Sequence, residues 1–163
     1  MFPKAVRDLA EAVLQRARAR GAMLATAESC TGGLVASALT AIPGSSDVVA
    51  GGLVTYSNPA KTRLLGVDAA LIATAGAVSE PVARAMAAGA VGRLGADLAV
   101  AITGVAGPGG GSADKPVGLV HFASANASET RHREARFGDI GRDEVRMASV
   151  EVALQMLLER LGA

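Results

Sequence analysis

The chain has 163 residues, half of them apolar, with 16 basic against 15 acidic side chains, one cysteine, no tryptophan, one tyrosine and three phenylalanines. That length suits one ordinary domain whose core needs neither disulfide nor metal, and the balanced, unblocked charge argues against a protein whose main work is gripping nucleic acid. Cys30 alone permits no intrachain disulfide, and the two histidines lack metal-ligand spacing; no apolar run approaches a membrane span or a signal peptide, so the expectation is a cytoplasmic protein without metal, cofactor or membrane attachment.

In chain order, residues 4–19 set Val6, Leu9, Ala10, Val13, Leu14 and Ala17 at helical spacing, and Gly21 ends that helix. Met23 to Ala27 is a short apolar run bounded by turn formers, the pattern of a buried strand. It feeds Ala27-Glu28-Ser29-Cys30-Thr31-Gly32-Gly33, after which Thr31 to Ala41 reads as a helix stopped by Pro43-Gly44. Backbone N–H groups at such a helix start lack partners, and glycines let an anion approach them. Ser29 is therefore either an N-cap or a nucleophile.

Val48 to Tyr56 reads as a second strand interrupted by Gly51-Gly52. Asn58-Pro59-Ala60-Lys61 follows as a helix start, with Asn58 as N-cap and Lys61 in the first turn. Asp68 to Thr74 and Ser79-Glu80-Pro81 to Leu94 read as helices, and Asp97 to Thr103 as a strand in which Leu98, Val100 and Ile102 interleave with alanine. Gly104 to Ser112 is too glycine-rich for a regular element; its backbone suits an anion cradle, without the spacing or ending of a nucleotide-binding P-loop. Val117 to Ala125 and Thr130 to Phe137 form a hairpin about Asn126, whose Asn-Ala-Ser triplet reads as a turn. Residues 142–161 close the chain as a helix. This order predicts an α/β fold, a single-domain α/β/α sandwich over residues 1–163 whose mixed sheet combines parallel strands with an antiparallel hairpin.

Three polar residues combine into a hypothesis: Ser29 at a helix start, Tyr56 at a strand end, Lys61 just after it. A serine needs a base, and His121 and His132 fall inside the hairpin as ordinary strand residues, which leaves Lys61. A helix N-terminus and burial both disfavour the charged lysine. The alternative is a surface lysine, with Tyr56 a strand residue whose hydroxyl sits at the rim. Lys115-Pro116 either puts a charge at the mouth of the glycine loop or starts a solvated strand.

The segments 27–33, Pro43-Gly44-Ser45-Ser46, Gly52 to Asn58 with Lys61, Gly76-Ala77-Val78-Ser79, Thr103 to Pro108 and Lys115-Pro116-Val117-Gly118 together resemble the CinA C-terminal domain family, which includes nicotinamide-nucleotide amidohydrolases. The resemblance runs from about residue 5 to the end. It implies metal-independent hydrolysis of the carboxamide of nicotinamide mononucleotide to nicotinate mononucleotide and ammonia, with Ser29 as nucleophile, Lys61 as base and Tyr56 as assisting hydroxyl. Backbone around Cys30, Thr31, Gly32 and Gly33 is expected to hold the oxyanion. Thr103, Gly104, Ala106 and Gly107, with Arg142 or Arg146, are expected to bind the nucleotide and its phosphate.

Where the family usually has Gly-Asp-Arg, this chain has Gly138-Asp139-Ile140-Gly141-Arg142. Larger family members carry a preceding domain, whose activity is not expected from this stretch. A homodimer or higher homo-oligomer is expected. The competing readings are a non-catalytic competence- or damage-associated binding module, and an amidase acting on another small carboxamide.

Overall fold

The computed structural model describes residues 1–162, which form in chain order α1 (Lys4–Arg20), β1 (Leu24–Glu28), α2 (Leu34–Thr40), β2 (Val49–Val54), α3 (Asn58–Leu65), α4 (Ala69–Ala75), α5 (Glu80–Leu94), β3 (Leu98–Gly104), β4 (Leu119–Ala125), β5 (Thr130–Arg136) and α6 (Arg142–Arg160). The strands make one sheet in the order β2-β1-β3-β4-β5. β1 runs parallel to both β2 and β3, and β3, β4 and β5 pair antiparallel. The chain is thus a single-domain α/β fold with the expected mixed sheet.

Alternation along the strands separates two faces, because successive side chains point to opposite sides of a sheet. Leu24, Leu98, Val100, Ile102, Val120 and Phe122 pack under α1, α2 and α6. The opposite face is almost pure alanine, Ala25, Ala27, Ala99, Ala101, Ala123 and Ala125, and meets Val82, Ala83, Met86, Ala87 and Ala90 of α5. Small side chains let a helix lie close to the sheet, so the core needs few aromatics. The outer edges differ: β5 alternates charged residues at its exposed positions, which discourages edge-to-edge pairing, while β2 carries an irregularity where Leu24 pairs with Val49 and Ala25 with Gly51. The residue left out of register is Ala50, whereas the strand runs on through Gly51-Gly52, where an interruption was expected: Gly51 pairs with Ala25 and Gly52 with Thr26.

One helix start moves, and the hairpin turn stays where it was expected. The helix expected from Thr31 begins at Leu34, because Gly32 and Gly33 have φ of 59° and 99° and turn the chain before it can coil. The hairpin turn is built by Asn126, whose Oδ1 accepts from the N–H groups of Ser128 and Glu129 at 3.0 and 2.8 Å.

α5 also lies close to α3, which carries Lys61. At Gly89 an added Cβ would stand deep inside van der Waals contact with the Leu65 carbonyl. Gly89→Ala is therefore expected to lower stability by about 2 kcal/mol, seen as a lower urea midpoint, although alanine is intrinsically the better helix former by about 1 kcal/mol. An unchanged or raised midpoint would show that α3 and α5 separate at no cost.

Candidate active site

Ser29 follows β1, Thr55 and Tyr56 follow β2, and Thr103 and Gly104 end β3, so the polar residues gather at the carboxyl ends of the parallel strands, where open α/β sheets place their ligands. The Ser29 N–H donates to the Ile102 carbonyl at 2.9 Å, continuing the β3 pairing into the turn. Ser29 does not cap α2: the capping position is Gly33, which supplies no side chain.

The cap comes instead from Glu28, a residue to which the sequence reading gave no role. Its carboxylate is buried and accepts from the N–H groups of Gly33 (3.0 Å), Val35 (3.1 Å) and Ala36 (2.8 Å) and from the Thr26 hydroxyl (3.1 Å). Negative charge at a helix start is favoured, and the carboxylate satisfies donors that would otherwise be orphaned. Glu28→Leu leaves three N–H groups, one buried and two half-buried, without acceptors and is expected to lower stability by about 3–5 kcal/mol, measured by urea unfolding. A loss under 1 kcal/mol would mean that the turn rebuilds its bonds without this carboxylate.

α3 starts one residue earlier than the sequence suggests. Ser57 is its N-cap, with Oγ accepting from the Ala60 N–H at 3.3 Å, and Asn58 is already helical. The Lys61 N–H donates to the Ser57 carbonyl at 3.1 Å, which closes the first turn and leaves no orphan donor at this position. Its side chain runs inward. Lys61 is 1% exposed, and Nζ lies 2.9 Å from Ser29 Oγ and 2.8 Å from the Thr55 carbonyl. Burial, one of the two causes expected from the sequence, holds its pKa below the ordinary value of 10.5. In the neutral form, Nζ donates to Thr55 and turns its lone pair to the Ser29 O–H, within the range for proton transfer.

Tyr56 does not join this pair. It is 61% exposed, and its hydroxyl accepts from Arg142 Nη2 at 2.9 Å, while Arg142 Nη1 donates to the Gly107 carbonyl at 2.7 Å. The reason is geometric: the lysine stem reaches Ser29 directly, and Tyr56 stands beyond the end of β2, at the rim. Arg142 opens α6 behind Gly141 (φ 103°), so the altered 138–142 segment still delivers a guanidinium that bridges the glycine loop to Tyr56. Between the loop and the strand end lies a cavity of about 290 Å³, walled by Ser29, Cys30, Tyr56, Asn58, Lys61, Ala77, Val78, the segment 103–107, Gly109, Gly110 and Arg142.

Thr103, Gly104, Ala106 and Gly107 reach this wall as expected. The Thr103 hydroxyl donates to the Ala77 carbonyl at 2.8 Å, tying the strand to the opposite side of the cavity. Lys115 brings no charge there, since its Nζ donates to the Ala75 carbonyl at 2.7 Å. Thr31, Gly32, Gly33 and Arg146 lie behind the wall. Gly32 and Gly33 have spent their N–H groups on the Ser29 carbonyl and on Glu28. Arg146 donates to the carbonyls of Cys30 and Thr31 at 3.1 and 3.2 Å, so it is turned away from the space where a phosphate was expected to meet it. Burial pushes the Cys30 thiol up to about 12, which leaves it protonated at neutral pH.

His121 and His132 form a pair on the α5 side, with Nδ1 and Nε2 2.9 Å apart, and Glu80 lies 3.6 Å from His132. Both are held below their ordinary pKa first by burial. Among the described residues, no group of three or more His, Cys, Asp or Glu side chains is placed to hold a metal ion, and no helix is long and apolar enough to cross a membrane. A second, apolar groove of about 520 Å³ between α3 and α4 adjoins the site through Asn58.

The chain is thus an α/β domain whose mixed sheet holds a serine against a buried lysine, in a glycine-walled cavity at its strand ends. Comparison with known proteins narrows that description. The CinA C-terminal domain family matches residues 6–161, and the chain belongs to that family. A CinA-like protein of Synechococcus sp. (strain RCC307) is 58% identical over 151 residues, which cover 92% of this chain and 36% of the relative. One from Mycobacterium avium (strain 104) is 70% identical over 103 residues, 63% of this chain and 24% of the relative. The chain therefore spans about a third or less of the curated relatives it matches. Among solved structures, a competence/damage inducible protein of Agrobacterium tumefaciens superposes with a TM-score of 0.96 at 52% identity, covering 100% of this chain and 99% of that one. The competence damage-inducible protein A of Klebsiella pneumoniae gives 0.91 at 38%, with 96% of both chains covered.

Proposed function

We propose that this domain is a serine amidohydrolase that hydrolyses the carboxamide of nicotinamide mononucleotide to nicotinate mononucleotide and ammonia. The observation that carries this reading is the buried Lys61 Nζ, 2.9 Å from Ser29 Oγ and depressed in pKa by desolvation. A purely binding role gives no reason to bury a lysine against a serine hydroxyl, since desolvating an amine costs several kcal/mol, on the order of the net stability of many domains.

In the mechanism, neutral Lys61 takes the Ser29 proton as Oγ attacks the amide carbon, and the protonated amine then delivers that proton to the departing ammonia. Water opens the acyl-enzyme by the reverse use of the same base. The backbone N–H group at Cys30, a residue of the cavity wall, stabilises the oxyanion, a contact whose loss commonly costs about 3 kcal/mol of barrier. Arg142 is the cavity's guanidinium and the best-placed partner for the phosphate. A cavity of about 290 Å³ is at the small end of ligand sites and favours a mononucleotide over a dinucleotide.

The test is ammonia release from nicotinamide mononucleotide by the purified chain in EDTA. Release supports the reading. Folded protein without release moves the assignment to another small carboxamide, or to a binding role of the kind the competence- and damage-inducible names of the solved relatives suggest.

A further inference from the structure

We propose that Arg146 is a positioning residue, which holds the 30–32 peptides so that the N–H group of Cys30 faces the cavity for the oxyanion; this rests on the serine amidohydrolase reading above. The Ser29 N–H goes to the Ile102 carbonyl, the Gly32 N–H to the Ser29 carbonyl, the Gly33 N–H to Glu28 and the Leu34 N–H to the Thr31 carbonyl. Cys30 and Thr31 alone in this turn donate to no carbonyl or carboxylate among the described residues, and the Cys30 N–H meets only its own thiol. They are 5% and 0% exposed. Buried N–H groups without a partner are rare, and Cys30 is the one of the two that lines the cavity beside Ser29, so its N–H marks a place made for an acceptor that comes and goes.

Their direction is set from the other side. In a trans peptide the carbonyl and the following N–H point opposite ways, and the peptides here are trans. Arg146 Nε holds the Cys30 carbonyl at 3.1 Å, which aims the Thr31 N–H away from α6. Nη2 holds the Thr31 carbonyl at 3.2 Å, which sends the Gly32 N–H onto the Ser29 carbonyl and so fixes the plane that carries the Cys30 N–H. A guanidinium is suited to this because its planar fork engages two carbonyls at once, whereas an ammonium grips one point. Gly32 admits it: a Cβ there would sit 3.3 Å from Arg146 Nη2 at a φ of 59°. Asp143, the nearest carboxylate, stands 3.9 Å off and is exposed, so it does not draw the guanidinium away.

The experiment compares wild type with Arg146→Ala and Arg146→Lys in three readouts. These are the rate of Ser29 labelling by a fluorophosphonate, kcat and KM for ammonia release, and thermal stability. The expected result for Arg146→Ala is labelling and kcat lowered about 10–100-fold with KM nearly unchanged, as for loss of oxyanion donors, and partial rescue by added guanidinium ion. Arg146→Lys falls between. Arg146→Ala with a lowered melting temperature but wild-type labelling and kcat per folded molecule would make Arg146 a structural strut and overturn the proposal. If the alanine variant does not fold, wild-type labelling by Arg146→Lys overturns it instead. Labelling needs no natural substrate, so a wild type that labels at Ser29 yet releases no ammonia refutes the substrate while the Arg146 comparison still decides.

Discussion

Ser29→Ala is expected to abolish ammonia release, with turnover down by about 10⁴-fold or more and the melting temperature nearly unchanged. The size follows from the chemistry: without Oγ there is no acyl-enzyme, and what remains is whatever the oxyanion donors and binding give to attack by water. The stability forecast follows from the geometry. A capping serine would cost about 1 kcal/mol when removed, but Glu28 does the capping here, and Ser29 Oγ has Lys61 as its partner. Loss of the hydroxyl leaves Lys61 still bonded to the Thr55 carbonyl. Turnover that persists in Ser29→Ala would rule out the covalent route, and a large drop in melting temperature would restore a structural role for the hydroxyl.

The sheet, its order of helices and the antiparallel hairpin were legible because they rest on local periodicity. Alternating Leu-Ala-Val-Ala-Ile along β3 states which face is crowded and which is thin, and Asn126 states where the hairpin turns. The Ser29 and Lys61 pairing was legible by elimination of the histidines and by family resemblance. Its geometry was not, since nothing in the spacing says that Nζ passes Tyr56 and reaches Oγ directly. Glu28 was hidden for a physical reason. A capping box is read from a residue three positions into a helix, whereas this carboxylate ends a strand and reaches forward over a turn to Gly33, Val35 and Ala36. Arg146 was hidden in the opposite sense: an arginine on the last helix reads as a phosphate ligand, and only the fold shows its Nε and Nη2 turned to the backbone of the turn after β1.

Lys61 is open to two substitutions that separate its chemistry from its burial. Lys61→Arg is expected to lower kcat by about 10³-fold, because guanidinium does not act as a base at neutral pH, and Lys61→Met should be equally inactive. In the wild type, kcat/KM should rise with pH along a limb set by the neutral amine, with an apparent pKa below the free value of 10.5. The same shift links pH to stability. The unfolded lysine binds its proton below 10.5, while the buried amine gives it up at lower pH. Between the two values the unfolded chain holds more protons, so unfolding free energy increases with pH there and is lost as pH falls toward the folded pKa. Lys61→Met removes that term, and its stability relative to wild type, from urea unfolding at a series of pH values, should be greatest below the folded pKa and shrink as pH rises toward 10.5. A difference that is flat with pH would mean that Lys61 keeps its charge in the fold, and the serine would then need another base.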